Sequence, residues 1–224
     1  MNHLWLFLEM SFVFGMLVLL KRLYGKAGVF AWIAVATIFA NIFEAKNISL
    51  FGLNVGAGHV MFGSVFLATD ILNECYSKAE AKKGVFVGLL ADISLIVVSA
   101  IMCLYSPSQA DAVNGSVKQL FTMSIRVTVA SAVMFFIANW CDVLIFDKIK
   151  RMTKGKYLWL RNNVATIICN CLENFIFYFL AFLGVFDAGQ LVSMSLATCV
   201  LEIVIGIFDT PFLYLARKVK SPKE

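Results

Sequence analysis

Residues 84–105 read GVFVGLLADISLIVVSAIMCLY and contain one charged side chain, Asp92. A membrane-spanning helix needs roughly 20 mostly apolar residues, so this stretch predicts one crossing of a bilayer. Six other stretches have the same character: 4–20, 28–45, 59–77, 121–146, 163–186 and 189–216. The third span, 59–77, is the least apolar. The sequence therefore predicts an all-α, polytopic transmembrane helical bundle of about seven spans, with residues 1–224 forming a single domain.

The composition excludes most other classes of protein. Of the 224 residues 61% are hydrophobic and 15% are charged, and the mean hydropathy is +0.85. A soluble domain has about 45–50% apolar and about 25% charged residues. The six cysteines lie in or beside apolar stretches without the spacing of a zinc site, so we interpret them as small core residues.

Basic residues predict the orientation of the spans. Sixteen of the 19 Lys and Arg residues fall in four clusters, at 21–26, 78–83, 148–161 and 217–223. With seven spans, all four clusters follow odd-numbered spans and lie on one side. The positive-inside rule then places the C-terminus in the cytoplasm and the N-terminus outside. Segment 46–58 is expected to be an outer turn or hairpin, 105–120 the longest outer loop and 147–162 the basic inner loop.

Acidic residues are concentrated inside the apolar stretches. Nine of the 14 lie within or at the edge of a predicted span: Glu9, Glu44, Asp70, Glu74, Asp92, Asp142, Glu173, Glu202 and Asp209. A charge at the bilayer centre costs a few kcal/mol, so such groups should face protein or a water-filled cavity. Spans three to seven each place an acid in the middle or inner half of the membrane, which is typical of a midplane solute-binding cavity.

Amide and acid side chains share a helical spacing. Asn139 and Asp142, and likewise Asn170 and Glu173, are three residues apart and project from one helix face. Asp70 and Asn73 repeat the pattern in reverse order, and Glu74 follows. Such pairs offer hydrogen-bond donors and acceptors to a polar solute. The alternative is that they hydrogen-bond one helix to another and hold the bundle together.

The sequence lacks the residues that several kinds of enzyme chemistry require. The two histidines, His3 and His59, are expected at the outer surface, and no serine or cysteine is paired with a buried histidine. The sequence contains no HExxH, P-loop or GxGxxG motif. We therefore predict no catalytic residue, no metal site and no cofactor, and the protein is not expected to be an enzyme. Basic clusters between spans suit lipid headgroups, so no nucleic-acid partner is expected.

Five stretches resemble the queuosine precursor transporter family, also called the vitamin uptake transporter family. They are NIFEAKNISLFGLNVGAG (41–58), FLATDILNECYSKAEAKKGVFVG (66–88), RVTVASAVMFFIANWCDVLIFDKIK (126–150), GKYLWLRNNVATIICNCLENFIFYFLAFLG (155–184) and DTPFLYLA (209–216). The resemblance extends from about residue 36 to 217 and leaves the first span outside.

The resemblance implies import of queuosine precursors across the cell (inner or plasma) membrane for salvage into transfer RNA. These precursors are 7-deazaguanine bases such as 7-cyano-7-deazaguanine, its aminomethyl relative and queuine. Asn139 stands where the family often has Gln, and Glu173 where it usually has Asp. Asp92 replaces a frequent Asn and Glu202 a frequent Lys. An acid in place of a base at mid-membrane favours a shift of the substrate preference, for example toward the cationic aminomethyl compound. The predicted substrate-binding residues are Asp70, Asn73, Glu74, Asp92, Arg126, Asn139, Asp142, Asn170, Glu173, Glu202 and Asp209.

A deazaguanine presents N1–H and its exocyclic amine as two parallel donors, which a carboxylate complements. We expect Glu173 or Asp142 to bind this edge with help from Asn139 and Asn170, and an aromatic ring such as Trp140 or Phe177 to stack on the base. The partners are then a small-molecule substrate and the lipid bilayer, with a homo-oligomer left open. Proton coupling and facilitated diffusion both remain open, as do a substrate-binding subunit of an ATP-driven system and a membrane enzyme using the acids.

Overall fold

The computed structural model describes residues 2–121 and 125–220, with the side chains of 53–54 and 125–129 outside that description. The elements are α1 (Asn2–Glu44), β1 (Asn47–Leu50), β2 (Leu53–Gly56), α2 (His59–Cys75), α3 (Lys78–Leu104), α4 (Asn114–Phe121), α5 (Ile125–Met152), α6 (Leu158–Phe182) and α7 (Ala188–Lys218). Among the described residues, five helices are long and apolar enough to cross a membrane: α1, α3, α5, α6 and α7. The predicted helical architecture is therefore confirmed, with one short antiparallel β-hairpin added.

Helix α1 is two antiparallel segments. Its 43 residues would extend about 65 Å if straight, yet Nδ2 of Asn2 donates to the carbonyl oxygen of Ser49, 2.9 Å away and just beyond the end of α1. The reversal occurs at Gly25, where φ is 60° and ψ is −141°. A left-handed φ of this kind favours glycine. The two segments correspond to the first two predicted spans, 4–20 and 28–45.

Helix α2 lies at the centre of the bundle. It packs against α1, α3, α5 and α7, and 14 of its 17 residues are buried. A helix surrounded by other helices needs no continuous lipid-facing surface. This explains why 59–77 is the least apolar of the predicted spans.

The two ends of the bundle differ in charge. One end, which we call the hairpin end, holds Asn2 and the β-hairpin. The other, which we call the basic end, brings residues of all four basic clusters together: Lys21 reaches the end of α7, Lys78 pairs with Asp147, and α5, α6 and α7 each direct a cation at Glu74.

Two predicted loops contain helix. The expected outer loop 105–120 includes most of α4, which has no buried residue. The expected inner loop 147–162 shrinks to 153–157, because α5 continues to Met152 and α6 begins at Leu158. The apolar pattern marks only the lipid-facing part of a helix, whereas Lys and Arg are good helix formers and favour its C-terminal turn.

Candidate functional site

A cavity of about 100 Å³ lies toward the hairpin end of the bundle. It is formed where α1, α2, α3, α5, α6 and α7 meet. Its lining residues are Ala40, Asn41, Glu44, Gly58, His59, Phe62, Asp92, Ser131, Phe135, Glu173, Asn174, Phe177, Tyr178 and Glu202. The lining thus combines carboxyl and amide groups with aromatic rings, as expected for a site that binds a flat polar molecule.

Glu202 in the cavity is fully engaged with neighbouring side chains. Its Oε1 lies 3.1 Å from Nδ1 of His59, and its Oε2 accepts a hydrogen bond from Nδ2 of Asn174. Nε2 of His59 lies 3.7 Å from Oε1 of Glu44. His59 therefore joins an acid of α1 to an acid of α7 at the cavity wall.

Glu173 differs from Glu202 because part of its carboxyl group is unoccupied. Its Oε2 is buried, and no described residue donates a hydrogen bond to that atom. Asp92, the third predicted acid in the cavity, is 3% exposed and lies beside Asn41. Glu173 therefore has an acceptor atom available for a ligand.

Three more of the predicted acids form a separate group, which we call the acid cluster. Asp70, Asp142 and Asp209 are each at most 1% exposed, and Asp70 lies beside the other two. Thr166 Oγ1 donates to Asp142 Oδ1 over 3.3 Å, and Asn162 Nδ2 donates to Asp209 Oδ1 over 2.7 Å. None of these three acids lines the described cavity.

Glu74 and Asn73 lie at the basic end. Oε2 of Glu74 is 2.6 Å from Arg161 and 3.1 Å from Lys150, and Oε1 is 3.4 Å from Arg217. We call these four residues the ion network. Asn73 donates through Nδ2 to the carbonyl oxygen of Val143 and so joins α2 to α5.

The remaining predicted residues lie away from the cavity or outside the description. Nδ2 of Asn139 donates to the carbonyl oxygen of Phe135 in its own helix. The Oδ1 atoms of Asn139 and Asn170 are buried, and within the described ranges neither has a hydrogen-bond partner. Arg126 belongs to α5, but its side chain is outside the described residues. Of the two aromatic residues considered, Phe177 lines the cavity, whereas Trp140 stacks on Phe136 elsewhere.

The predicted acids therefore do not meet in one chamber. Asp92, Glu173 and Glu202 share the cavity, and the others form the acid cluster or join the ion network. The position of each acid along its helix predicts its depth in the membrane. Only the packing of the helices shows which acids line the same cavity.

Several cavity residues were not predicted from the sequence. His59 was expected at the outer surface, but it is 8% exposed and lies between two acids. Asn41 and Glu44 are three residues apart, the amide–acid spacing already seen in α5 and α6, so a search of α1 with that pattern would have found them. Asn174 directly follows Glu173 in the sequence.

Known proteins resemble this chain over half of its length or more. A family profile described as "Putative vitamin uptake transporter" matches residues 56–216. A protein of Bacillus subtilis (strain 168) named "Probable queuosine precursor transporter" is 32% identical over 219 residues, which cover 97% of this chain and 95% of that protein. The chain belongs to the queuosine precursor transporter family. This family membership makes it a multi-pass membrane protein of a class that handles small-molecule substrates.

A second member of the queuosine precursor transporter family is more distant. A Haemophilus influenzae (strain ATCC 51907 / DSM 11121 / KW20 / Rd) protein with the same name is 25% identical over 125 residues, covering 56% of this chain and 51% of that protein. No solved structure matches the chain. The Bacillus similarity covers 97% of the chain and so includes most of the first helical segment, which the sequence motifs had left outside the family-like region.

Proposed function

We propose that the chain is a seven-span importer of queuosine precursors, the 7-deazaguanine bases, and works in the cell membrane to supply transfer RNA modification. The supporting observation is the cavity, where six helices bring carboxyl, amide and aromatic groups together inside an apolar bundle. The names of the family and of its members supply the substrate class.

The basic end supports a cytoplasmic orientation for that side of the bundle. Lys and Arg are enriched in cytoplasmic loops, and residues of all four basic clusters meet there. The cavity lies toward the opposite end, and Glu44 at its edge has a 45% exposed side chain. In this orientation the cavity receives its substrate from outside the cell.

Glu173 is the proposed recognition residue. A deazaguanine offers N1–H and an exocyclic amine on one edge, and a carboxylate accepts both. Glu202 is engaged by His59 and Asn174, whereas Oε2 of Glu173 has no protein donor among the described residues. Phe177 also lines the cavity and provides a ring on which the base can stack.

Uptake in a queuosine-auxotrophic bacterium that lacks its own transporter tests this proposal. Cells expressing the chain should acquire queuosine in their transfer RNA when supplied with a deazaguanine. Glu173→Gln replaces an acceptor oxygen by a donor and removes the charge. The loss of about 3 kcal/mol of binding corresponds to roughly 100-fold weaker uptake at low substrate concentration. Glu80→Gln is the matched control, because Glu80 pairs with exposed Lys83 outside the cavity. Equal uptake by Glu173→Gln and the control, at equal membrane levels, would exclude this role of Glu173.

Reconstitution separates the remaining alternatives. The purified chain in liposomes should exchange labelled deazaguanine without ATP or a second protein, and the label should be recovered chemically unchanged. A requirement for an ATP-hydrolysing partner would favour a substrate-binding subunit. A converted product would favour an enzyme.

Cysteine labelling tests the topology. In a variant without native cysteines, Ser49→Cys in the β-hairpin should react with a membrane-impermeant maleimide in intact cells. Thr153→Cys, in the turn between α5 and α6, should react only after permeabilisation. The reverse pattern would contradict the orientation.

A further inference from the structure

The acid cluster lies deeper in the bundle than the cavity. Asp70 follows His59 by 11 residues in α2, and Asp209 follows Glu202 by seven residues in α7. At 1.5 Å per residue, these intervals place the cluster roughly 10–17 Å closer to the basic end. The cluster is therefore a second polar level between the cavity and the ion network.

An apolar layer separates these two polar levels. Phe66, Ala138 and Cys169 are buried together, with Phe62 packed against them. Phe62 lines the cavity and contacts Phe66 at a ring-centroid distance of 5.4 Å. Phe66 in turn lies one helical turn before Asp70. Solute in the cavity is thus kept away from the acid cluster in this conformation.

Unoccupied acceptor atoms mark the acid cluster as a binding site. Asp70 is 1% exposed and its carboxyl group lies within hydrogen-bonding distance of that of Asp142, and no other described group donates a hydrogen bond to its oxygens. The Oδ2 atom of Asp142 is also buried and, Asp70 apart, has no hydrogen-bond donor among the described residues. Asn162 comes from a different helix and is fully buried. Its Nδ2 binds Asp209, and its Oδ1 has no partner in the described part of the chain. Buried polar atoms without a protein partner indicate a missing ligand, because leaving them unsatisfied costs free energy.

The charged and titratable groups facing Asp70 come from three helices. They are Asp142 of α5, Asp209 of α7, and Arg161 and Cys169 of α6. Arg161 is already paired with Glu74 at 2.6 Å. On the side of α2 that faces α1 and α3, the glycine Gly84 lies close to Ile33, Thr69 and Leu72, none of which is charged.

We propose that the acid cluster binds a proton that is carried inward together with the substrate. Two neighbouring carboxylates buried away from water repel each other, so the pair is stabilised by holding a proton between them. When the cluster is open to the outside of the cell, an O–H bond forms on a carboxyl oxygen of Asp70 or Asp142 with a proton taken from hydronium, which leaves water. When the cluster is open to the cytoplasm, that bond breaks and the proton returns to water. Within the described residues, no group of three or more His, Cys, Asp or Glu is arranged to hold a metal ion.

This inference rests on the proposed import function, and proteoliposomes test the two separately. We would use labelled 7-cyano-7-deazaguanine, which is uncharged, so that the membrane potential, clamped with valinomycin and K⁺, does not act on the base itself. Wild-type protein should exchange label across the membrane without any gradient. An inward proton gradient of one pH unit should drive accumulation by up to about 10-fold for one proton per substrate.

Asp70→Asn should lose accumulation driven by the proton gradient, and exchange without a gradient, measured on the same proteoliposomes, shows whether the variant still carries substrate. Asp142→Asn takes its place if that variant does not purify as a single species. Asp147→Asn is the matched control, because Asp147 pairs with Lys78 and Arg151 at the basic end, and it should accumulate substrate like wild type. Gradient-driven accumulation by Asp70→Asn, or wild-type accumulation that follows a sodium gradient instead, would overturn the inference.

Failure of the import function gives a different pattern, namely no exchange by wild type. In that case the proton site can still be tested by a measurement that does not depend on transport. Infrared spectra of the purified protein should show the C=O stretch of a buried protonated carboxyl group, and Asp70→Asn should remove it. An unchanged spectrum would count against the proton site whatever the substrate proves to be.

Discussion

Replacing Glu74 with methionine removes the carboxylate that joins α2 to α5, α6 and α7 at the basic end. Glu74 has a 5% exposed side chain, and its partner Arg161 is fully buried. Without Glu74, the hydrogen bond from Nη1 of Arg161 to the carbonyl oxygen of Lys156 would remain. Removing one partner of a buried ion pair typically costs about 3–5 kcal/mol, because the other charge stays buried without compensation. We expect Glu74→Met to lower the free energy of unfolding by about that amount.

Two exposed ion pairs show how little stability is lost when a surface charge is removed. Arg217 approaches the same carboxylate at 3.4 Å, but its side chain is 53% exposed. Lys83 pairs with Glu80 at 2.7 Å and is 65% exposed. Exposed ion pairs contribute less than about 1 kcal/mol. Arg217→Met and Lys83→Met should therefore change the free energy of unfolding by less than about 1 kcal/mol.

The assay is reversible unfolding by SDS titration in mixed micelles, followed by tryptophan fluorescence. Combining Glu74→Met with Arg161→Met should cost less than Glu74→Met alone, because apolar replacement of both partners removes the uncompensated charge. A loss of stability for Glu74→Met no larger than for Lys83→Met would refute the buried ion network. The buried ion network would also be refuted if the effects of the two methionine substitutions on the free energy of unfolding were additive.

Two further predictions concern close contacts at opposite ends of the bundle. In Gly58→Ala the new methyl group would lie 2.3 Å from the carbonyl oxygen of Ala40, so the start of α2 must move and uptake should fall about 10-fold or more. Gly15→Ala, where nothing lies within 4 Å, should leave uptake unchanged, and equal uptake by both variants would contradict this reasoning. Lys21 donates through Nζ to the last turn of α7, including the carbonyl oxygen of Ala216 at 2.7 Å. Lys21→Met should therefore lower stability in the SDS titration by about 2–3 kcal/mol, and an unchanged midpoint would exclude this contribution.

Helix positions were largely predictable because the bilayer imposes a simple rule on sequence. Long apolar runs located the helices of the bundle, and even the reversal in α1 falls between two predicted spans, at Gly25. The helix ends were predicted less well. Charged residues at 147–152 continue α5 beyond its apolar run, because backbone hydrogen bonding continues where hydrophobicity stops.

The candidate site was predictable only as a set of residue types. Acids inside apolar stretches pointed to buried polar groups, and three of the predicted residues, Asp92, Glu173 and Glu202, line the cavity. Their separation from Asp70 and its neighbours was not predictable, because depth along one helix says nothing about which helix faces which. His59 was missed for a related reason: its position at a helix start suggested exposure, and only α1 and α7 packed around it show that it is buried.

The sequence by itself determined that this chain crosses a membrane as helices, which end of the bundle is basic and to which family it belongs, since hydropathy, charge position and motif similarity are all properties of residues in order. The tertiary structure alone decided how the acids are divided among the cavity, the acid cluster and the ion network. That division depends on side-chain contacts between residues as far apart in sequence as Glu74 and Arg217. Contacts of this kind are created by helix packing and leave no local pattern in the chain.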